Sequence, residues 1–152
     1  MKYLSFCLLL IISLVSCEND SKTEDDISKV KVELKIDRFD KAFSKVNTEN
    51  WKALREVYPF MFSNAYPDSF WENKIQDTLQ HELSEEVLKV YPDMTAVEPE
   101  LLSLFQHLKY YYPEFRTPRI VTTTSYVDYR NKVIVTDSID LIALDTYFRA
   151  GA

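Results

Sequence analysis

His81 and Glu82 form the beginning of a zinc-binding motif. In the His-Glu-x-x-His pattern, two histidines one helical turn apart bind zinc, and the glutamate activates a water molecule. Here the fifth position is Glu85, and the only other histidine, His107, falls in a different predicted helix. The spacing does not supply a set of zinc ligands, so we interpret His81 as part of a solvated helix face. We predict no metal, no cofactor and no catalytic residue.

The thiol of Cys17 is a second candidate for chemistry, because it follows a short apolar segment. A lysine at position 2 precedes thirteen uncharged residues, and the segment ends in Leu14-Val15-Ser16-Cys17. A secretory signal has an apolar region of about 7 to 15 residues, whereas a bilayer-spanning helix needs about 20. The ending is typical of a bacterial lipobox, in which the cysteine receives a diacylglycerol before cleavage on its N-terminal side. We predict a signal peptide at residues 1–16 and a lipidated Cys17; an uncleaved anchor suits the short segment less well.

Three aspartates near the C-terminus, Asp137, Asp140 and Asp145, could gather a hard cation. Their spacing matches no calcium loop, so strand-end and loop solvation is the better interpretation, and the sequence leaves their role open. A serine nucleophile is not supported, because the chain has no Gly-x-Ser-x-Gly turn. The only glycine is Gly151, which excludes the glycine-rich phosphate loops of nucleotide-binding proteins.

Charge and aromatic content narrow the choice of partners. The formal net charge of −6 repels phosphate backbones, so we predict no nucleic-acid partner. Aromatic residues make up 14% of the chain, and we expect most of them to fill the core. The exception is a cluster beside the last predicted helix, which is a candidate partner surface or a platform for stacking sugars. Its members are Tyr110, Tyr111, Tyr112 and Phe115.

The rest of the chain divides into a tether and one domain. Residues 18–29 hold five acids and one apolar side chain, so we predict a disordered tether at residues 17–29. From residue 30 to residue 37 apolar and charged residues alternate, which is the period of a strand with one wet face. This strand begins a domain that covers residues 30–152.

Helical spacing follows the first strand. Apolar stripes predict a helix after residue 39, another carrying Trp51, a long one that begins after Pro67, and a last one. Asp77 and Gln80 are spaced as a capping box and can restart the long helix. The prolines that bound these helices are Pro59, Pro67, Pro92, Pro99 and Pro113.

Strand-forming residues return in the last third of the chain. Residues 120–126 and 133–136 are rich in threonine and valine and flank a polar connection, which favours a hairpin. Residues 139–144 form one more apolar segment. We predict that the first strand joins this hairpin, that the helices pack on one face, and that an unpaired edge lies near residues 141–147. The fold class is α+β, with several helices packed on a small mixed or antiparallel sheet.

Several segments together resemble the gliding motility lipoprotein GldB family of Bacteroidetes. The resemblance covers nearly the whole chain, including the lipobox, and rests on the order and spacing of the segments. Family members are roughly twice this length and usually have glycine at the positions of Ala143 and Arg149. The segments are Lys35-Ile36-Asp37-Arg38-Phe39-Asp40, Tyr58-Pro59-Phe60-Met61-Phe62, Asp77-Thr78-Leu79-Gln80 with Glu82-Leu83, Tyr126-Val127-Asp128-Tyr129 and Leu141-Ile142-Ala143-Leu144-Asp145-Thr146-Tyr147-Phe148.

The resemblance implies a lipid-anchored envelope protein needed for gliding and linked to the associated secretion machinery. Its partners would be the membrane, through the lipid, and envelope proteins of that apparatus; it would sit on the periplasmic face of the cytoplasmic membrane or on the outer membrane. It also implies distant kinship with predicted zinc peptidases, whose metal-bearing helix follows the sheet, so the chain would be the N-terminal part of a larger domain. Our first hypothesis is a non-catalytic scaffold; the alternatives are a metallopeptidase-like enzyme and a glycan-binding lipoprotein.

Overall fold

The computed structural model describes residues 20–148, which form helices packed around a small sheet. The helices are α1 Asp20–Ser28, α2 Phe39–Phe43, α3 Trp51–Val57, α4 Asp68–Gln76, α5 Thr78–Val90 and α6 Glu98–Tyr111. The strands are β1 Ile36–Asp37, β2 Arg119–Thr123, β3 Val133–Val135 and β4 Ile139–Ala143, and 3-10 helices cover Pro59–Met61, Tyr129–Asn131 and Leu144–Tyr147. The α+β class is confirmed. The predicted signal peptide and Cys17 lie outside the described residues.

The four strands form one mixed sheet in the order β1-β2-β4-β3. β1, β2 and β4 are parallel, and β3 runs antiparallel to β4 at the edge. Ile36 lies opposite Ile120, so the first strand pairs with a strand from the last third of the chain, as predicted. β1 is shorter than expected, because β2 starts only at Arg119 and offers no partner to residues 30–34; the last backbone contact is Ile120 N donating to Lys35 O at 2.9 Å.

The predicted pairing of the two hairpin strands is wrong. β3 pairs with β4 rather than with β2, and the turn is closed by Thr136, whose N donates to Ile139 O at 3.0 Å. β2 does not pair with β3, because β1 and β4 occupy both of its edges. After Thr123 the chain leaves the sheet through a segment in which Tyr126 and Val127 have positive φ. The predicted unpaired edge at residues 141–147 is therefore also wrong, since β4 is an interior strand. The edge is β3, whose three side chains are exposed.

Helices cover both faces of the sheet, not the single face that we predicted. Val121 and Leu141 pack against an aromatic cluster from α2, α3 and α4, whereas Ile36 and Ile142 pack against Val87 and its neighbours. The sheet is mostly parallel, and parallel strands are usually buried on both sides. The aromatic cluster confirms that many aromatic residues fill the core. Its buried aromatic members are Phe39, Phe43, Trp51, Phe62 and Trp71.

The segment that we predicted as a disordered tether contains a helix. Ile27 of α1 is buried, and Gln106 of α6 donates its side-chain amide to Ser28 O at 3.0 Å and to Val30 O at 3.1 Å. Composition alone does not predict this helix. One buried apolar side chain and two backbone carbonyl acceptors dock it on α6. The helix also pairs Glu24 with His107 at 3.3 Å.

The predicted break in the long helix is confirmed. Asp77 adopts extended backbone angles between α4 and α5, and its Oδ1 accepts a hydrogen bond from Gln80 N at 2.8 Å. This contact satisfies one of the amide groups that a helix start leaves without a partner. The break changes the direction of the chain, so that α4 and α5 present different side chains to the sheet.

Candidate functional site

A cavity of about 220 Å³ lies beside the carboxyl ends of β2 and β4. Ligands of open α/β sheets bind at this end of the strands, because loops and helix starts meet there. The lining combines aromatic and aliphatic side chains with hydroxyl, amide and charged groups. The lining residues are Phe39, Asp40, Phe43, Met61, Trp71, Lys74, Thr123, Thr124, Ser125, Asn131, Ile134, Leu141 and Ala143.

Lys74 supplies the positive charge of this cavity. It lies on α4 three residues after Trp71 and next to Ile75, so it shares the helix face that those buried side chains use. Its Nζ lies 4.4 Å from the centre of the Tyr126 ring, which is a cation–π contact. Burial lowers the pKa of Lys74, while the charges of Asp145 and Asp77 act in the opposite direction.

Trp71 supplies an unused hydrogen-bond donor. The side chain is 8% exposed and lines the cavity, and its Nε1 is buried without a hydrogen-bond partner in the described part of the chain. Buried donors are almost always paired in folded proteins. The Nε1 atom is itself buried and not accessible from the cavity, and the indole ring packs against Phe62 at a centroid distance of 4.9 Å.

Asp40 is a buried carboxylate whose charge is already compensated. Arg38 donates its Nε to Asp40 Oδ1 at 2.9 Å and its Nη2 to Oδ2 at 2.7 Å, in a two-point ion pair. Thr122 Oγ1 donates a further hydrogen bond to Oδ1. The same Arg38 Nη2 also reaches Tyr91 O at 2.8 Å, so this pair ties α2 and β2 to the end of α5. Charge pairs with two parallel hydrogen bonds are among the strongest in proteins.

Asp145 is fully buried and holds the loop that follows β2. Its Oδ2 accepts hydrogen bonds from Val127 N at 2.7 Å and from Ser125 N at 3.0 Å. The loop residues Tyr126 and Val127 have φ of 58° and 59°, a region that is costly for residues other than glycine. The carboxylate offsets this cost by pairing the amide groups of the strained segment. It thereby fixes Tyr126 over Lys74.

Gln80 connects α5 to the polar wall. It is buried, and its Nε2 donates to Thr124 Oγ1 at 2.9 Å and to Ser84 Oγ at 3.0 Å. Its Oε1 has no hydrogen-bond partner among the described residues. The start of α5, set by the Asp77 cap, thus positions one hydroxyl of the cavity.

Comparison with known families shows which family this chain belongs to. A family profile described as "Gliding motility protein GldB" matches residues 20–151 of the 152 residues. The chain belongs to the GldB family. Neither a curated protein nor a solved structure matches it. The GldB match includes every helix and strand described above and all the residues of the cavity.

The predicted site residues of this GldB family member do not form a common site. Asp137 is exposed, Asp140 is half-buried on β4, and Asp145 is buried in the contacts described above. Between residues 20 and 148, no three His, Cys, Asp or Glu side chains are placed to hold a metal ion. His81 is exposed on α5. His107, on α6, donates its Nδ1–H to Ser103 O at 2.7 Å, and this contact together with Glu24 raises its pKa.

The predicted partner surface is only partly exposed. Tyr110 and Tyr111 end α6, Tyr112 follows it, and all three are exposed, Tyr112 at 67%. Phe115 is half-buried and stacks on Phe105 at a centroid distance of 5.8 Å, so it belongs to the packing under α6. The role of these residues as a partner surface stays a prediction. No helix within residues 20–148 is long and apolar enough to cross a membrane.

Sequence reasoning missed the cavity of this GldB protein, although one signal was present. Lys74 stands between Trp71 and Ile75 on the apolar stripe of α4, a position where a charged residue is unexpected. The positive φ of Tyr126 and Val127 left no such signal, because glycine, asparagine and aspartate are the residues that normally mark it.

Proposed function

We propose that this GldB family member acts in gliding motility as a lipid-anchored protein of the cell envelope, with the lipid on Cys17. The observation that carries the proposal is the family match over residues 20–151, which includes the whole described fold. The lipobox ending at Cys17 supplies the anchor. Two or three acyl chains, at about 0.8 kcal/mol for each buried methylene, hold a protein stably where one chain is marginal.

The short distance between Cys17 and the fold supports a role at the membrane surface. α1 begins at Asp20 and docks on α6 through Ile27 and Gln106, so the folded domain starts within a few residues of the lipid. A protein held in this way acts on what lies near the membrane. Envelope proteins of the gliding and secretion apparatus are the partners that we propose, with the exposed Tyr110, Tyr111 and Tyr112 as one contact surface.

We propose a non-catalytic role within this apparatus. A peptidase of the zinc class needs three protein ligands and an open position for water. Asp40 of the cavity lining and the buried Asp145 are engaged in the structural contacts described above rather than in a nucleophile–base pair. Contact with other proteins requires only an accessible surface, and this GldB protein has one at the end of α6.

The lipid assignment is tested by metabolic labelling with a palmitate analogue in cells that express the full chain. Cys17→Ala should lose the label, because the acceptor thiol is gone. Cys7→Ala is the matched control, since Cys7 is the only other cysteine and lies within the predicted signal peptide. The control should keep the label. Label retained in Cys17→Ala would contradict the assignment.

A further inference from the structure

We propose that the cavity beside Lys74 binds a small carboxylate that carries an aromatic or branched apolar body. The inference goes beyond the proposed role in gliding and concerns a ligand site. Two observations carry it: a lysine without an ion-pair partner, and an apolar lining of suitable size.

Lys74 carries the positive charge of the lining and forms no ion pair, although the charges of Asp145 and Asp77 act on it. No carboxylate of the described residues forms an ion pair with Lys74, whereas Asp40 is paired with Arg38 and Asp145 accepts the amide groups of the following loop. The Tyr126 ring lies 4.4 Å from Lys74 Nζ and contacts it through its face. A ring face does not satisfy the three N–H donors of an ammonium group. An anionic oxygen in the cavity would therefore gain both a charge partner and hydrogen bonds.

The apolar part of the lining determines which ligand body fits the cavity. Phe39, Phe43, Met61 and Leu141 supply apolar surface, and the exposed Asn131 and Ile134 complete the lining. An apolar cavity of about 150 Å³ holds benzene, so a cavity of about 220 Å³ holds a ring with a short acid chain. Small-molecule sites combine this kind of apolar lining with a few polar groups that fix orientation.

Isothermal titration of the purified full-length lipoprotein with 3-phenylpropionate tests the proposal. We expect saturable binding with a Kd below about 1 mM, and at least tenfold weaker binding of the neutral alcohol 3-phenylpropanol. Lys74→Met should weaken carboxylate binding at least tenfold. Lys89→Met is the matched control, because this exposed lysine pairs with Glu86 on α5 far from the cavity lining; its binding should stay within twofold.

Circular dichroism of each variant separates loss of binding from loss of folding, and Lys74→Gln replaces Lys74→Met if the latter does not fold. The proposal is overturned by an absence of saturable heat, by equal binding of acid and alcohol, or by unchanged binding in the folded Lys74 variant. None of these outcomes bears on palmitate labelling at Cys17, so failure of the ligand site and failure of the lipid anchor are distinguishable.

Discussion

At the residue scale, a few buried polar groups determine the geometry of the cavity. Asp145 pairs the amide groups of a loop in which Tyr126 and Val127 hold an unfavourable φ, and the loop in turn places Tyr126 over Lys74. Strained backbone of this kind persists where surrounding contacts determine it, and it concentrates at functional sites. The sequence showed Asp145 only as one of three late aspartates, because nothing in local spacing reveals a carboxylate that caps a distant loop.

Replacing Asp145 with Ala should lower the free energy of unfolding by about 2 to 4 kcal/mol. The change leaves the amides of Ser125 and Val127 buried without an acceptor and removes the contact that offsets the strained φ. Urea denaturation measures the effect. Asp137→Ala is the control, since Asp137 is exposed and should stay within about 0.5 kcal/mol of wild type. Equal stability of the two variants would show that Asp145 does not hold the loop.

Lys74 should make stability depend on pH in the alkaline range. Burial lowers its pKa in the folded state, so the unfolded chain binds more protons as the pH rises between the folded and the unfolded pKa. The cost of burying the charge is fully present below the folded pKa and disappears as the pH rises through this window. Lys74→Met should therefore be more stable than wild type at neutral pH, with a difference that shrinks towards high pH.

Urea midpoints of both proteins across the neutral to alkaline range measure this difference, and titrating groups that do not interact with Lys74 cancel in the comparison. A Lys74→Met protein that is less stable than wild type at neutral pH would count against a buried ammonium. So would a difference that stays constant with pH. Either result would mean that the Tyr126 contact and the charges of Asp145 and Asp77 outweigh burial.

At the element scale, the sequence predicted the helices better than it predicted the pairing of the strands. The starts and ends of α3 to α6 followed from prolines, apolar stripes and the cap at Asp77, all of which act within a few residues. The partners of β2 and β3 did not follow, because residues 120–126 and 139–144 both offered strand-forming residues to β3 and local sequence does not distinguish between them. The docking of α1 depended on Ile27 and Gln106 meeting across a long sequence separation, which composition cannot show.

The Asp77 cap between α4 and α5 should contribute about 1 kcal/mol to the free energy of unfolding. Asp77→Ala removes the acceptor of Gln80 N at the start of α5. We expect urea denaturation to show a loss of about this size, and Asp77→Asn, which keeps an acceptor oxygen, to recover most of it. A loss in Asp77→Asn as large as that in Asp77→Ala would show that charge, and not capping, is what the position supplies.

At the scale of the whole molecule, the fold combines a docked N-terminal helix with a cavity of about 220 Å³. The α1 helix, which begins just after the predicted lipid site, rests on α6, and α6 ends in the exposed tyrosines. The cavity lies at the carboxyl ends of the parallel strands, between α2, α4 and the loop after β2. Different residues form the exposed tyrosine surface and the cavity, so the proposed protein contacts and the proposed ligand site can be tested separately.

The speed of single cells gliding on glass tests the central claim most directly. The strain to measure lacks the gene for this protein and carries either no copy or a full-length copy supplied from a plasmid. Loss of movement in the deletion strain, with recovery on complementation, is the result that membership of the GldB family predicts. Gliding at wild-type speed in the deletion strain would contradict it.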